Sequence, residues 1–204
     1  MAKQNQEVKV TAADPSALGL FGLAMVTLVA SSEKLGWTTG TAGILPWAIF
    51  LGACAQIVTC LTDIKRGNVF GTVAFGAYGF FWLAVAMTWM IKGGVLSPVL
   101  QPSFDVRQFG FAFLGYLIFT LYMTVVSMET TKVLFIIFVL IDFLFVGLAM
   151  VSFSIVPDIG KTIAGWSEFI LSMFSFYASA ANVMSNVFGR QVLPVGKPFG
   201  IFKK

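Results

Sequence analysis

The chain has 204 residues, 58% of them hydrophobic and 11% charged, with a mean hydropathy of +0.90; soluble domains carry about 25% charged residues, so a water-soluble fold is excluded and residues 1–204 read as one membrane domain. The net charge of +4 comes from 13 Lys and Arg against 9 Asp and Glu, and these cations stand singly between apolar runs, which excludes a nucleic-acid patch and marks them as topogenic charges. The absence of His removes the usual general base and the commonest metal ligand, so neither an enzyme nor a metal or cofactor site is expected.

A polar arm, residues 1–13, leads into Asp14-Pro15-Ser16-Ala17-Leu18-Gly19-Leu20. Asp is a strong N-cap and Pro suits the first helical position, where its missing N–H is no loss, so a helix is predicted to start here. Lys3 and Lys9 ahead of the apolar run 18–30 resemble a signal peptide in outline. The length of the arm, its Glu7 and Asp14, and the five spans that follow argue instead for a retained first helix. Six apolar segments can be counted, each near the roughly 20 residues that cross a bilayer as helix: 15–30, 42–61, 70–91, 108–128, 133–153 and 163–188. The fold class is therefore an all-α integral membrane protein with six transmembrane helices, ending in a basic tail, 189–204.

Six spans put both termini on one side. Lys3, Lys9, Lys65, Arg66, Lys132, Arg190, Lys197, Lys203 and Lys204 fall there, against Lys34, Lys92, Arg107 and Lys161 on the other. The positive-inside rule places the termini in the cytoplasm, and the expected location is the inner (cytoplasmic) cell membrane. Trp37, Trp47, Trp89 and Trp166 then fall near the external ends, where aromatic belts belong. Cys54 and Cys60 lie six apart in one segment and point to different faces of a helix, so they read as buried apolar filler, neither a disulfide nor a metal pair. The Gly-containing stretch 67–71 reads as a hairpin turn rather than a phosphate loop.

Four patterns inside the spans invite a functional reading, each beside a structural one. Glu168, Ser172, Ser175, Ser179, Asn182 and Asn186 recur at steps of three and four, one face of a helix, which suits close helix packing or a pore lining. Asp142 sits near mid-membrane, where a carboxylate must be paired, protonated or hydrated; Asn182, Tyr78 or Gln56 are its candidate partners, and its role is either a structural hydrogen bond or proton coupling. Ala48, Gly52 and Gln56 form a small-residue face that lets a helix approach. Phe75, Tyr78, Phe81 and Trp82 form an aromatic stripe for packing or gating, and the Tyr78 hydroxyl needs a polar surrounding that a pore would supply.

Several of these stretches resemble the acetate/succinate transporter family, the YaaH or succinate–acetate permease group. Residues 14–20 are similar to its NPAPLGL signature, with Asp14 for Asn, Ser16 for Ala and Ala17 for the second Pro; Pro15, Leu18, Gly19 and Leu20 are kept. Residues 63–71 resemble its turn of GN-x-FG type, 74–83 its YG-x-FWL helix, and 164–166 and 188–196 the two ends of its last helix. The resemblance implies six helices around a central pore in each protomer, a homo-hexamer, and passage of acetate and related small carboxylates, possibly succinate. It also implies a constriction at Leu23, Tyr78 and Ile141. Leu23 replaces an aromatic there, and Asp142 beside Ile141 is not expected from the family. The pore-mouth motif would comprise Asp14, Pro15, Leu18, Gly19 and Leu20, and Gln56, Phe75, Asp142, Ser175, Ser179 and Asn182 are further lining candidates. The ionised Asp14 would be occupied by cap donors or by a cation such as Lys197. A channel for urea, amides or ammonia, or a scaffold without throughput, are the alternative functions.

Overall fold

Long apolar stretches separated by short polar turns fold as helices laid side by side. A computed structural model describes residues 12–202, and all regular structure among them is helical. Six membrane-length helices follow in order: α1 Ser16–Lys34, α2 Ala42–Arg66, α3 Val69–Lys92, α4 Val106–Ser127, α5 Lys132–Ser152 and α6 Pro157–Phe188. The first five are long and apolar enough to cross a membrane. α6 is the longest, at 32 residues, but its Asp158, Lys161, Glu168 and Ser/Asn stripe dilute its hydropathy.

Caps explain where the helices begin and end. The Asn68 side chain accepts the Gly71 N–H at 3.2 Å, Asp105 that of Arg107 at 2.9 Å, and Thr131 that of Leu134 at 3.2 Å, the usual answer to unpaired N-terminal donors. Gly67 closes α2 in a left-handed conformation with φ of 69°, which a residue with a Cβ adopts only at a penalty. Thus 67–71 is the turn between α2 and α3. Three helices exceed their expected length, and α2 runs five residues past 61 to Arg66. α1 runs a turn past residue 30 because the hydroxyls of Ser31 and Ser32 bond back to the Leu28 and Val29 carbonyls, making a polar run compatible with helix. α6 starts at Pro157, six residues before 163, with proline in its first turn.

α2 is not uniform. It opens as a 3₁₀ turn at Ala42–Ile44, and Ala48–Ala55 winds as a π-helix. The buried side of this segment carries Ala48, Gly52 and Ala53. Cys54, between buried neighbours, projects outward and is exposed, while Cys60 is half-buried. The expectation that both thiols are buried filler is corrected at Cys54, which lies on the side of the helix opposite the packed face of Ala48, Gly52 and Gln56.

The helices form a ring. α1 packs against α2 and α6, α2 against α3, and α5 against α4 and α6. α3 meets α4 through side chains: the Tyr116 hydroxyl donates to the Ala77 carbonyl at 3.0 Å, and the hydroxyls of Tyr78 and Thr120 lie 2.8 Å apart. Two approaches leave no room for a side chain: a Cβ on Gly22 of α1 would stand next to the Leu51 carbonyl oxygen of α2, and one on Gly147 of α5 would stand 2.6 Å from the Gly160 carbonyl oxygen of α6. Beyond Gly189 the tail is extended and docked: the Val195 carbonyl accepts the Val133 N–H, the Met128 carbonyl accepts the Phe199 N–H, and Glu129 Oε1 accepts from Ile201 and Phe202. Residues 1–11 of the arm and the last two residues lie outside the described ones.

Gly147→Leu should destabilise by about 1–3 kcal/mol, the usual range for overpacking, whereas Gly43→Ala, with nothing within 4 Å of its Cβ position, should stay within about 0.5 kcal/mol. Thermal unfolding of the two variants in detergent checks the contrast; equal melting temperatures would show that α5 and α6 do not depend on this contact.

Candidate functional site

Helix rotation decides what the ring encloses. One face of α1 carries Leu20 and Leu23, one of α3 carries Phe75 and Tyr78, and one of α5 carries Ile137 and Ile141. Together with Gln56 of α2 they surround a closed cavity of about 30 Å³. That volume holds a water or two, not a carboxylic acid. Leu23, Tyr78 and Ile141 are 7%, 5% and 3% exposed, so the neck is shut.

Polarity inside this cavity reduces to one atom. Thr120 donates its hydroxyl to the Tyr116 carbonyl at 2.8 Å, which leaves Tyr78 as the donor in the 2.8 Å Tyr78–Thr120 bond. The Tyr78 hydroxyl is therefore directed at α4, and only its ring faces the cavity; the expected pore surrounding for that hydroxyl is replaced by Thr120. Gln56 donates from Nε2 to the Gly52 carbonyl at 2.7 Å, and its buried Oε1 has no partner among the described residues.

Larger cavities lie on either side. At the end opposite the termini a vestibule of about 150 Å³ is floored by Phe81 and Leu144, each about one turn from Tyr78 and Ile141. It opens to a mouth of about 480 Å³ beside Glu33, Lys34, Lys92 and Lys161. At the terminal end a groove of about 270 Å³ includes Ser16, Asn182, Ser185 and Asn186, and it shares Leu20 and Leu134 with the central cavity. Along α1, α3 and α5 residue numbers change monotonically from mouth to vestibule to neck, so the voids are stacked along the bundle.

Of the residues singled out from sequence, Leu20, Leu23, Gln56, Phe75, Tyr78 and Ile141 meet at the central cavity, and Asn182 lies in the terminal groove. Leu18 is 44% exposed on the outside. Gly19 packs on Phe75, and the Pro15 carbonyl receives the Leu18 and Gly19 N–H groups. The Ser stripe sits at helix contacts: Ser179 donates to the Ala17 carbonyl of α1 at 2.7 Å, and the Ser175 hydroxyl is buried without a partner among the described residues. Asp142 faces α4, accepting the Thr124 hydroxyl at 2.8 Å, with Oδ1 buried and unpartnered among the described residues. Its partner is thus Thr124 rather than Asn182, Tyr78 or Gln56. Phe81, read from sequence as part of an aromatic stripe for packing or gating, lies in the vestibule; sequence reasoning missed Ile137 and Phe138 at the neck and Leu144 at the floor, which steps of three and four from Ile141 would have found. It also read Lys34 only as a topogenic charge, although its Nζ lies 2.8 Å from Glu168 Oε2.

A model of the GPR1/FUN34/yaaH family matches residues 2–195. The chain belongs to that family. It is 35% identical to the succinate-acetate/proton symporter SatP of Escherichia coli K12 over 187 residues, 91% of this chain and 96% of that protein. It is 30% identical to ammonia transport outward protein 2 of Saccharomyces cerevisiae over 156 residues, 75% of this chain and 55% of that one. The solved structure of the bacterial acetate channel SatP has a TM-score of 0.83 with this chain at 30% identity, covering 91% of this chain and 100% of that one. With five helices of membrane length and character, this family member is a multi-pass membrane protein.

At the terminal end the signature residues engage in an ion pair. Asp14 Oδ1 accepts the Ser16 N–H at 2.9 Å and lies 3.3 Å from Arg66 Nη1, so the cation that holds it is Arg66 of α2 and not Lys197. Partial burial pushes the Asp14 carboxyl up, but the Ser16 donors and then the Arg66 guanidinium outweigh it and hold it below its ordinary 3.8. A depressed folded value gives stability that is present above the unfolded value and lost as pH falls through the folded one.

Asp14→Ala should lower stability by about 1–2 kcal/mol at pH 7 by removing cap and ion pair. Asp14→Asn keeps a capping side chain and loses only a half-exposed, solvent-screened pair, so it should lose less than about 1 kcal/mol. Melting curves at pH 7 and near pH 3 check this: the gap between wild type and Asp14→Asn should close at the lower pH, and a gap that persists would exclude Asp14 ionisation as its source.

Proposed function

We propose that this family member moves acetate and related small carboxylates, succinate among them, across the inner cell membrane along the stacked cavities, as a channel or proton-linked carrier. The terminal end faces the cytoplasm, as the lysine and arginine count favours, and the residues form one domain that assembles as a homo-hexamer. The observation that carries the reading is the row of voids interrupted by one thin apolar neck at Leu23, Tyr78 and Ile141. It is supported by likeness to a symporter and to a channel that both bear acetate in their names.

The neck sets the chemistry. An ionised carboxylate loses its water there without a cation to replace it, which is costly. A neutral acid leaves only a hydroxyl to satisfy, and Gln56, which lines the neck and has an unpartnered Oε1, is the acceptor in this reading. Small carboxylic acids resemble side-chain carboxyls, with pKa near 4, so their neutral form is scarce at pH 7 and flux should rise as pH falls. Passage also requires the neck to widen, and Leu23, an aliphatic side chain with free rotamers, is its most adaptable member. A neutral solute such as ammonia would cross the same neck, a second reading that the yeast relative's name supports.

Radiolabelled acetate uptake into proteoliposomes tests this against protein-free vesicles. Wild-type protein should accelerate uptake, and Tyr78→Ala should raise the rate several-fold while admitting larger acids. Gln56→Leu should slow acetate about fivefold, the equivalent of one net hydrogen bond near 1 kcal/mol. Equal uptake with and without protein, alongside protein-dependent methylammonium flux, would overturn carboxylate transport in favour of the ammonia reading.

A further inference from the structure

The far-end vestibule contains an ion pair that packing alone does not call for. Lys34 Nζ donates to Glu168 Oε2 at 2.8 Å, with the Glu168 side chain 1% exposed and that of Lys34 14%. Both line the vestibule beside Phe81, Trp82, Trp89 and Leu144. Apolar residues of similar volume would join α1 to α6 at least as well, because desolvating two charges offsets most of their attraction. The pair also has charged company. Glu33 of α1 and Lys161 of α6 lie 3.8 Å apart, and Lys92 of α3 stands at the same mouth, 5.9 Å from the centre of the Phe104 ring. Lys34, Lys92 and Lys161 against Glu33 and Glu168 leave the opening with a net positive charge, which draws anions toward it.

We propose that Lys34 and Glu168 form an exchangeable carboxylate site. An entering carboxylate anion replaces Glu168 as the partner of Lys34 Nζ, and Glu168 takes up a proton through the open mouth as it loses its counter-ion. The balance is one anion and one proton in: an O–H bond forms on the Glu168 carboxyl, the proton comes from solvent, and the charge of the vestibule is unchanged. A carboxylate this buried, once its cation is engaged elsewhere, is more stable neutral than charged. The site therefore binds anion and proton together: in the bound state the proton resides on Glu168 rather than on the acid, and it passes to the acid as the Glu168 carboxylate returns to Lys34, so the acid meets the neck neutral. This rests on the carboxylate-transport reading and assigns its proton-binding residue.

A probe that cannot carry a proton separates the two locations. Methanesulfonate is close to acetate in size and stays anionic at every pH used. Its binding to purified protein in detergent is measured by titration calorimetry at pH 6, 7 and 8 in buffers of different ionisation heat. Wild type should bind it with affinity falling about tenfold per pH unit and uptake of one proton per anion, in competition with acetate. Glu168→Gln should bind it with no pH dependence and no proton uptake. The double variant Lys34→Gln/Glu168→Gln leaves no uncompensated charge between α1 and α6, so it keeps the fold and should lose methanesulfonate binding at least tenfold. Absent or pH-independent binding to wild type, an unchanged pH slope in Glu168→Gln, or wild-type affinity in the double variant would each overturn the site. Acetate flux through wild-type proteoliposomes is read separately: flux without proton-linked binding overturns this site alone, and proton-linked binding without flux overturns the transport reading.

Discussion

Inside a bilayer no water answers a polar group, so every hydroxyl, amide and carboxyl on these helices must find its partner within the protein. Most find it on their own helix. Thr27 donates to the Leu23 carbonyl, Thr59 to Ala55, Thr120 to Tyr116 and Ser172 to Phe169, at 2.6–2.9 Å. Satisfied this way, such residues need nothing from a neighbour and leave small, flush surfaces on which helices meet closely. The ring depends on that economy, since Ser172 and Ser179 lie buried on α6, which packs on α1, and Thr120 on the face of α4 that meets α3.

The same rule makes the exceptions informative. Gln56 spends an amide N–H on Gly52 and leaves Oε1 buried without a partner among the described residues. Asp142 uses one oxygen on Thr124 and buries the other. Both Asp63 oxygens are buried without partners among the described residues, beside the start of α3, where Gly71 leaves room for the carboxylate that any Cβ would fill. Of these three residues Gln56 lines the central cavity. Asp142 and Asp63 lie behind the lining, so they bear on helix placement and not directly on a passing solute.

Much of the architecture could be read from the chain because hydropathy and punctuation are one-dimensional signals. Three segments, 70–91, 108–128 and 133–153, match their helices to within two residues at both ends, and Gly67-Asn68 marks a turn with both its C-cap and its N-cap. Faces were harder. The choice between packing and lining for Ser175 or Asp142 turns on helix rotation, and a 40° error moves a side chain from neck to neighbour. The π winding at Ala48–Ala55 adds to this, because it changes the residues per turn and shifts every face counted across it. Partners across the fold were harder still. Lys34 and Glu168 are 134 residues apart and Asp14 and Arg66 are 52 apart, and no local pattern links them.

The distribution of charge along the bundle joins these threads. Ion pairs stand at both ends, Asp14–Arg66 at one and Lys34–Glu168 at the other, while no basic side chain lines the neck between them. A charged solute is therefore met by charge only where water or a counter-ion is at hand. Between the ends it faces Leu23, the Tyr78 ring and Ile141, where net charge is penalised most. A carboxylate can satisfy both environments only by changing its protonation state along the way, and in the transport reading proposed above Gln56 beside the neck is the acceptor for the resulting hydroxyl. Selectivity in such a path comes less from an anion-binding centre than from the requirement that the solute shed its charge before the neck, which a small weak acid meets and a permanent anion of the same size does not.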